Sequence, residues 1–82
     1  MPAPVWPLRI ALAEAAAPRR EGLVGFPGRA GHVVVAAVGD ADALQAFVRR
    51  ERPDVVITDV RMPPSFTDEG LRAAVAIRAE HP

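Results

Sequence analysis

The chain has 82 residues, which is enough for one small domain, and half of them are hydrophobic. This composition is too apolar for a disordered chain, and the apolar runs are too short to span a membrane. The absence of cysteine excludes a disulfide framework, a thiolate zinc site and a cysteine nucleophile. Ten basic residues balance ten acidic ones, which argues against broad electrostatic binding to nucleic acid or anionic lipid.

The N-terminal residues 1–7 contain prolines at positions 2, 4 and 7 and predict an extended or disordered tail. No cationic segment precedes a long apolar run, so a secretory signal is not expected and the cytoplasm is the predicted location. Residues 8–82 are predicted to form the domain.

Three apolar runs predict strands, at residues 8–14, 32–38 and 54–60. The second and third runs are nearly continuous and rich in valine, which is typical of strands buried on both faces of a parallel sheet. Helix-like segments separate the three runs. The alternating order predicts an α/β fold with helices on both faces of the sheet.

The second helix is predicted over residues 40–51, where Asp40 is the expected N-cap. Its apolar stripe consists of Leu44, Phe47 and Val48. The third helix is expected to be capped by Thr67 and to bury Leu71, Ala74, Val75 and Ile77.

The first helix is predicted to be short. Residues 19–24 have helical character, but Gly25, Pro27 and Gly28 follow them directly. An interior proline costs a helix about 3 kcal/mol and an interior glycine about 1 kcal/mol relative to alanine. The pattern therefore predicts a break after residue 24.

The most informative segment is residues 54–70, in which Asp59 lies at the carboxyl end of a buried strand and a proline pair precedes the next helix. The carboxyl ends of parallel strands form the functional edge of open α/β sheets. A carboxylate at this edge can accept a phosphoryl group, bind a metal ion or act as a general base. The alternative is a turn or helix-capping aspartate without chemistry.

The ordered motifs of residues 8–82 resemble the receiver domain of two-component response regulators, in particular the branch that precedes a LuxR-type DNA-binding helix-turn-helix. The matching pieces, in chain order, are Leu12-Ala13-Glu14, Arg20-Glu21-Gly22-Leu23, Ala30-Gly31-His32, Val38-Gly39-Asp40-Ala41, Arg52-Pro53-Asp54-Val55-Val56 and the run from Thr58 to Leu71.

The resemblance implies a flavodoxin-like three-layer sandwich with strand order 2-1-3. It also implies that Asp59 accepts a phosphoryl group from a histidine of a sensor kinase, in a module that regulates transcription and is not itself an enzyme. A Mg²⁺ ion would be held by the carboxylates of Glu14 and Asp59 and by the backbone carbonyl of Arg61. Oxygen ligands of this kind suit a hard dication.

Three departures from the family pattern qualify these expectations. Ala15 stands where the family has a second acid, so a weakened Mg²⁺ site is expected. The chain contains no lysine to pair with the phosphoryl group. It also lacks the last two strands of a receiver, so a truncated domain is expected, with its third strand exposed at the sheet edge and able to pair with a second copy.

Other interpretations stay open. Glu14 is equally consistent with a solvated acid at a strand end. The chain as a whole is alternatively a non-phosphorylated interaction fragment, or an inactive remnant, that pairs through its third strand. A nucleotide-binding site is disfavoured because the glycines at 22, 25, 28 and 31 follow the first strand too late and at the wrong spacing. No DNA-binding element is predicted within the chain.

Overall fold

A computed structural model describes residues 6–80 of the protein. The elements alternate along the chain as β1 (Arg9–Ala13), α1 (Ala17–Arg29), β2 (Val33–Val38), α2 (Ala41–Glu51), β3 (Val55–Thr58) and α3 (Glu69–Glu80). The strands form one parallel sheet in the order β2-β1-β3. The predicted flavodoxin-like order 2-1-3 is therefore confirmed. None of the helices in this described part is long and apolar enough to cross a membrane.

Most of the predicted tail, residues 1–5, lies outside the described residues, so the division into a tail and a domain stays a prediction. Trp6 is exposed, and its ring centroid lies 4.1 Å from that of His32. The Leu8 amide donates to His32 Nδ1 at 3.0 Å. His32, which directly precedes β2, is therefore connected to the residue that precedes β1.

The strands differ in burial from the prediction. Residues 10–13 of the central strand β1 are all buried, whereas β2 and β3 contain only half-buried and exposed residues. The prediction that the second and third strands are buried on both faces is wrong within the described residues. The reason is their position, because β1 has a strand on each side while β2 and β3 lie at the two edges of the sheet.

One face of the sheet is covered by α2 and α3. The prediction for α2 is confirmed, because Asp40 Oδ1 accepts a hydrogen bond from the Ala43 amide at 2.7 Å and the apolar stripe faces the core. This face holds a cluster of buried residues, namely Ala11, Ala13, Ala41, Leu44, Val48, Met62 and Ala73. Ala11 and Ala13 come from one face of β1, because side chains alternate along a strand.

Helix α1 contradicts the predicted break, because it continues through Pro27 to Arg29. Pro18 lies in the first turn, where the missing N–H has no helical partner in any case. Pro27 lies in the last turn and is the one buried residue of this helix. Contact with the sheet therefore outweighs the low helix propensity, since most helix stability in proteins comes from tertiary packing.

Helix α3 is also placed differently from the prediction. Leu71 and Val75 are 53% and 63% exposed, although both were predicted to be buried. Ala73 is fully buried instead, and Ile77 packs against the core. The helix begins at Glu69, one residue later than a Thr67 cap requires. The side of the helix that faces the core therefore carries the smaller residues Gly70 and Ala73.

Candidate functional site

The carboxyl end of the sheet holds the two acids that the sequence predicts as site residues. Ala13 pairs with Thr58 in the parallel register of β1 and β3. Glu14 and Asp59 follow these two residues directly. The Asp59 amide donates to the Ala13 carbonyl at 3.0 Å, and the Glu14 amide donates to the Val38 carbonyl at 3.0 Å. These bonds extend the sheet by one residue and hold the backbone of both acids at the same edge.

Asp59 is half-buried and lines an open pocket of about 450 Å³, called the rim pocket below. Its other lining residues are Ala15, Ala16, Arg19, Arg61 and Phe66. Within residues 6–80, no group donates a hydrogen bond to the Asp59 carboxylate. A carboxylate that is fixed by its strand and lacks an internal partner is able to attack a small electrophile or bind a ligand.

Glu14 has a different environment, because its side chain is nearly buried and already paired. Its Oε1 lies 3.0 Å from the NH2 nitrogen of Arg19 and accepts a hydrogen bond from the Ala16 amide at 3.1 Å. The Glu14 carbonyl accepts a hydrogen bond from Arg20 at 2.8 Å. A buried carboxylate requires such partners to offset the cost of losing water. Glu14 is therefore not the solvated strand-end acid that was the alternative.

Glu69 holds together the loop that follows β3. Its carboxylate accepts hydrogen bonds from the Ser65 hydroxyl, from the Ser65 amide at 2.7 Å and from the Thr67 amide at 3.0 Å. Led by the Ser65 hydroxyl, these donors lower the pKa of Glu69 from 4.5 to about 2, because they favour the charged form. The loop beside Asp59 is thereby tied to the first turn of α3.

Gly70 allows α3 to approach the Asp59 backbone closely. A Cβ atom at this position would lie 1.5 Å from the Asp59 carbonyl oxygen, and the Gly70 amide donates to the Val60 carbonyl at 2.8 Å. Met62 is fully buried and anchors the same loop in the core. Phe66 has a positive φ of 57° and an exposed side chain at the rim pocket.

The predicted Mg²⁺ ligands do not form a complete site. Among residues 6–80, no group of three or more His, Cys, Asp or Glu side chains is arranged to hold a metal ion. Ala15 offers no side-chain oxygen, and the Glu14 carboxylate is paired with Arg19. Mg²⁺ demands near-ideal octahedral oxygen coordination. The donors at this edge therefore do not fit a divalent cation while the ion pair of Glu14 is closed.

A larger pocket of about 620 Å³ lies between α2, α3 and β3. Its lining combines apolar side chains such as Val48, Val56 and Ile77 with four charged residues, namely Arg52, Asp54, Arg78 and Glu80. Asp59 is not among its lining residues. The rim pocket is the better candidate site, because its strand-end carboxylate accepts no hydrogen bond from residues 6–80, whereas Asp54 and Glu80 of the larger pocket are paired with Arg9 and Arg49.

Sequence analysis missed three residues that shape the site, namely Arg19, Phe66 and Glu69. For Arg19 a usable signal was present. Strand β1 ends only a few residues before Pro18, and proline is favoured in the first turn of a helix. The arginine after it is thus expected at the carboxyl edge of the sheet. No comparable pattern predicts the position of Phe66, because it depends on the path of the loop between β3 and α3.

No family model matches the chain, and no curated protein matches it. The structure is similar to that of a LuxR-family two-component response regulator from Aurantimonas sp. SI85-9A1, with a TM-score of 0.80 and 31% sequence identity. The similarity covers 90% of this chain and 51% of that one, so the chain spans about half the length of the similar protein. The predicted resemblance is confirmed, and the chain has a receiver-like fold similar to that of a LuxR-family two-component response regulator.

Proposed function

We propose that the chain is a receiver-type signalling module in which Asp59 accepts a phosphoryl group from a histidine of a sensor kinase. The observation that carries the proposal is the environment of Asp59. Its backbone is hydrogen-bonded at the carboxyl edge of a parallel sheet, and its carboxylate lines an open pocket without a donor from the described residues. The similarity to a two-component response regulator supports the same function.

In the proposed reaction, a carboxylate oxygen of Asp59 attacks the phosphorus atom of a phosphohistidine. A P–O bond forms, the P–N bond breaks, and the imidazole leaves with the electron pair. The phosphoryl group brings additional negative charge to the edge of the sheet. Arg19 and Arg61 line the rim pocket, and their guanidinium groups are suited to bind phosphoryl oxygens. The weak Mg²⁺ site expected from the sequence stays a prediction, and no step is assigned to it.

The further parts of this proposal concern partners and location. The kinase supplies the phosphoryl group, and the chain acts as an acceptor rather than as an enzyme. The signal controls transcription, which is consistent with similarity to a LuxR-family regulator. The balanced charge gives no reason to propose that the chain itself binds DNA. The proposed location is the cytoplasm.

The test uses acetyl phosphate as the donor, with and without Mg²⁺, followed by intact-mass measurement. We expect the mass of one phosphoryl group to be added to the wild type and lost in Asp59→Asn. Asp42→Asn is the matched control, because it removes an exposed carboxylate of α2 and should still be modified. Absence of the added mass, or its persistence in Asp59→Asn, would remove the acceptor role.

A second candidate function is that of a non-phosphorylated interaction module or an inactive remnant. The observation that favours pairing is that, within the described residues, β3 pairs with β1 alone, and Ile57 on this strand is exposed. A strand with an unpaired edge is able to pair with another chain. Size-exclusion chromatography of the wild type and Ile57→Lys tests this candidate. A dimer that dissociates in the variant supports it, and a wild-type monomer contradicts it.

A further inference from the structure

Arg19 contacts both parts of the candidate site. Its NH2 nitrogen lies 3.0 Å from Glu14 Oε1, and the same side chain lines the rim pocket together with Asp59. The two partners differ in exposure, because the side chain of Glu14 is 7% exposed and that of Arg19 is 70% exposed. The carboxylate is therefore fixed in place, whereas the guanidinium is free to move into solvent.

The family resemblance implies that the Glu14 carboxylate is the second side-chain oxygen donor for a cation at this edge. Ala15 provides no side-chain oxygen, and Asp59, which follows the neighbouring strand β3, lines the rim pocket. Two cations near one carboxylate repel each other, and the repulsion is stronger where burial limits the screening by water. A metal ion and the Arg19 guanidinium therefore compete for the Glu14 carboxylate.

We propose that Arg19 is a built-in competitor of divalent cations for the Glu14 carboxylate. A cation binds at this edge only after the ion pair opens and the guanidinium swings away. Arg19 thereby lowers the cation affinity of the edge, in addition to the effect of Ala15, and supplies a positive charge there when no metal is bound. The inference shares the site of the proposed function but does not require that Asp59 be phosphorylated.

Arg20 provides an internal control for this proposal. It is adjacent to Arg19 on the same helix and carries the same charge. It donates to the backbone carbonyl of Glu14 at 2.8 Å and not to the carboxylate. Removing either arginine changes the net charge equally, but only the removal of Arg19 takes a cation away from the Glu14 carboxylate.

The experiment measures Mn²⁺ binding by electron paramagnetic resonance of the free ion, with no phosphoryl donor present. We expect Arg19→Gln to bind Mn²⁺ roughly five- to tenfold more tightly than the wild type, which is the size expected for losing an ion pair to a buried carboxylate. Arg20→Gln should change the affinity by less than about twofold. Arg19→Lys should stay close to the wild type, because the competing charge is retained. Far-UV circular dichroism checks that each variant is folded.

A second pair of variants keeps the test decisive if the wild type binds too weakly to measure. Ala15→Asp adds the missing acid, and the double variant Ala15→Asp/Arg19→Gln should bind more tightly than Ala15→Asp by the same factor. The proposal is overturned if Ala15→Asp and Ala15→Asp/Arg19→Gln bind Mn²⁺ equally tightly. It is also overturned if Arg20→Gln raises the Mn²⁺ affinity as much as Arg19→Gln does. Adding Asp59→Asn to Arg19→Gln should weaken binding, and an unchanged affinity would show that the ion binds elsewhere and overturn the proposal. Because Mn²⁺ binding is measured directly, a failure of phosphorylation does not affect this result.

Discussion

The two faces of the sheet are covered in different ways. On the face of α2 and α3, a continuous cluster that includes Leu44 and Met62 is fully buried. On the other face, α1 buries Pro27 alone among its residues, while Leu23 and Phe26 are exposed. The first face therefore contains most of the core, and α1 forms a thinner cover over β1.

The candidate site draws on both faces, but for different purposes. Gly70 and the buried Met62 hold the loop after β3, so the position of the Asp59 backbone depends on the face of α2 and α3. Arg19, which pairs with Glu14, comes from α1. The better-packed face therefore fixes the backbone of Asp59, and the thinner face provides one of the two arginines that line the rim pocket.

The largest expected effect is that of Gly70→Ala, which places a Cβ atom 1.5 Å from the Asp59 carbonyl oxygen. Because the obstacle is backbone, α3 or the loop must move, and we expect the free energy of unfolding to fall by more than about 3 kcal/mol. Urea denaturation measures the change. Gly28→Ala on α1 is the control, because nothing lies within 4 Å of its added Cβ. A stable Gly70→Ala variant would contradict the close approach.

The second prediction compares the loss of stability when a side chain is truncated on each face of the sheet. Leu44→Ala removes a fully buried side chain and should cost about 2–5 kcal/mol of unfolding free energy. Phe26→Ala truncates a larger side chain that is 69% exposed, and should change the stability by no more than about 0.5 kcal/mol. Equal losses in the two variants would show that α1 contributes to the core as strongly as α2.

A pH-dependent effect is expected at Glu69. Its pKa is about 2 in the folded chain and 4.5 ordinarily, so the charged form stabilises the fold above pH 4.5 and this contribution is lost as the pH falls toward 2. Glu69→Gln should be less stable than the wild type at neutral pH, and the difference should shrink across this window. Urea denaturation at several pH values measures it. Glu21→Gln, an exposed change on α1, controls for net charge. A difference that is constant with pH would contradict the loop network.

The smallest expected effect is a gain in stability rather than a loss. Gly22 lies in the interior of α1, and a Cβ atom added there by Gly22→Ala would have no atom within 4 Å. Alanine should stabilise the helix by about 0.5–1 kcal/mol, because glycine loses more backbone entropy on folding. Thermal unfolding measures the gain. A loss of stability would mean that α1 is packed more closely against its surroundings than its exposure indicates.

The predictable parts of the site are those that depend on strand order. Asp59 follows an apolar strand, and parallel strands bring Glu14 to the same edge. The pairing of Glu14 with Arg19 was not predicted, because it depends on how α1 turns back over the end of β1. The role of Glu69 was missed for a similar reason, since its donors come from the path of the loop before α3.

The sequence alone determined the alternation of elements, the parallel sheet, the cap of α2 and the position of the strand-end acid. Each of these follows from local patterns, namely apolar periodicity, capping chemistry and the order of strands. The tertiary structure decided the length of α1, the burial of the edge strands and which residues of α3 are buried. These features depend on which surfaces meet, because packing contributes more to helix stability than the intrinsic preference of a few residues.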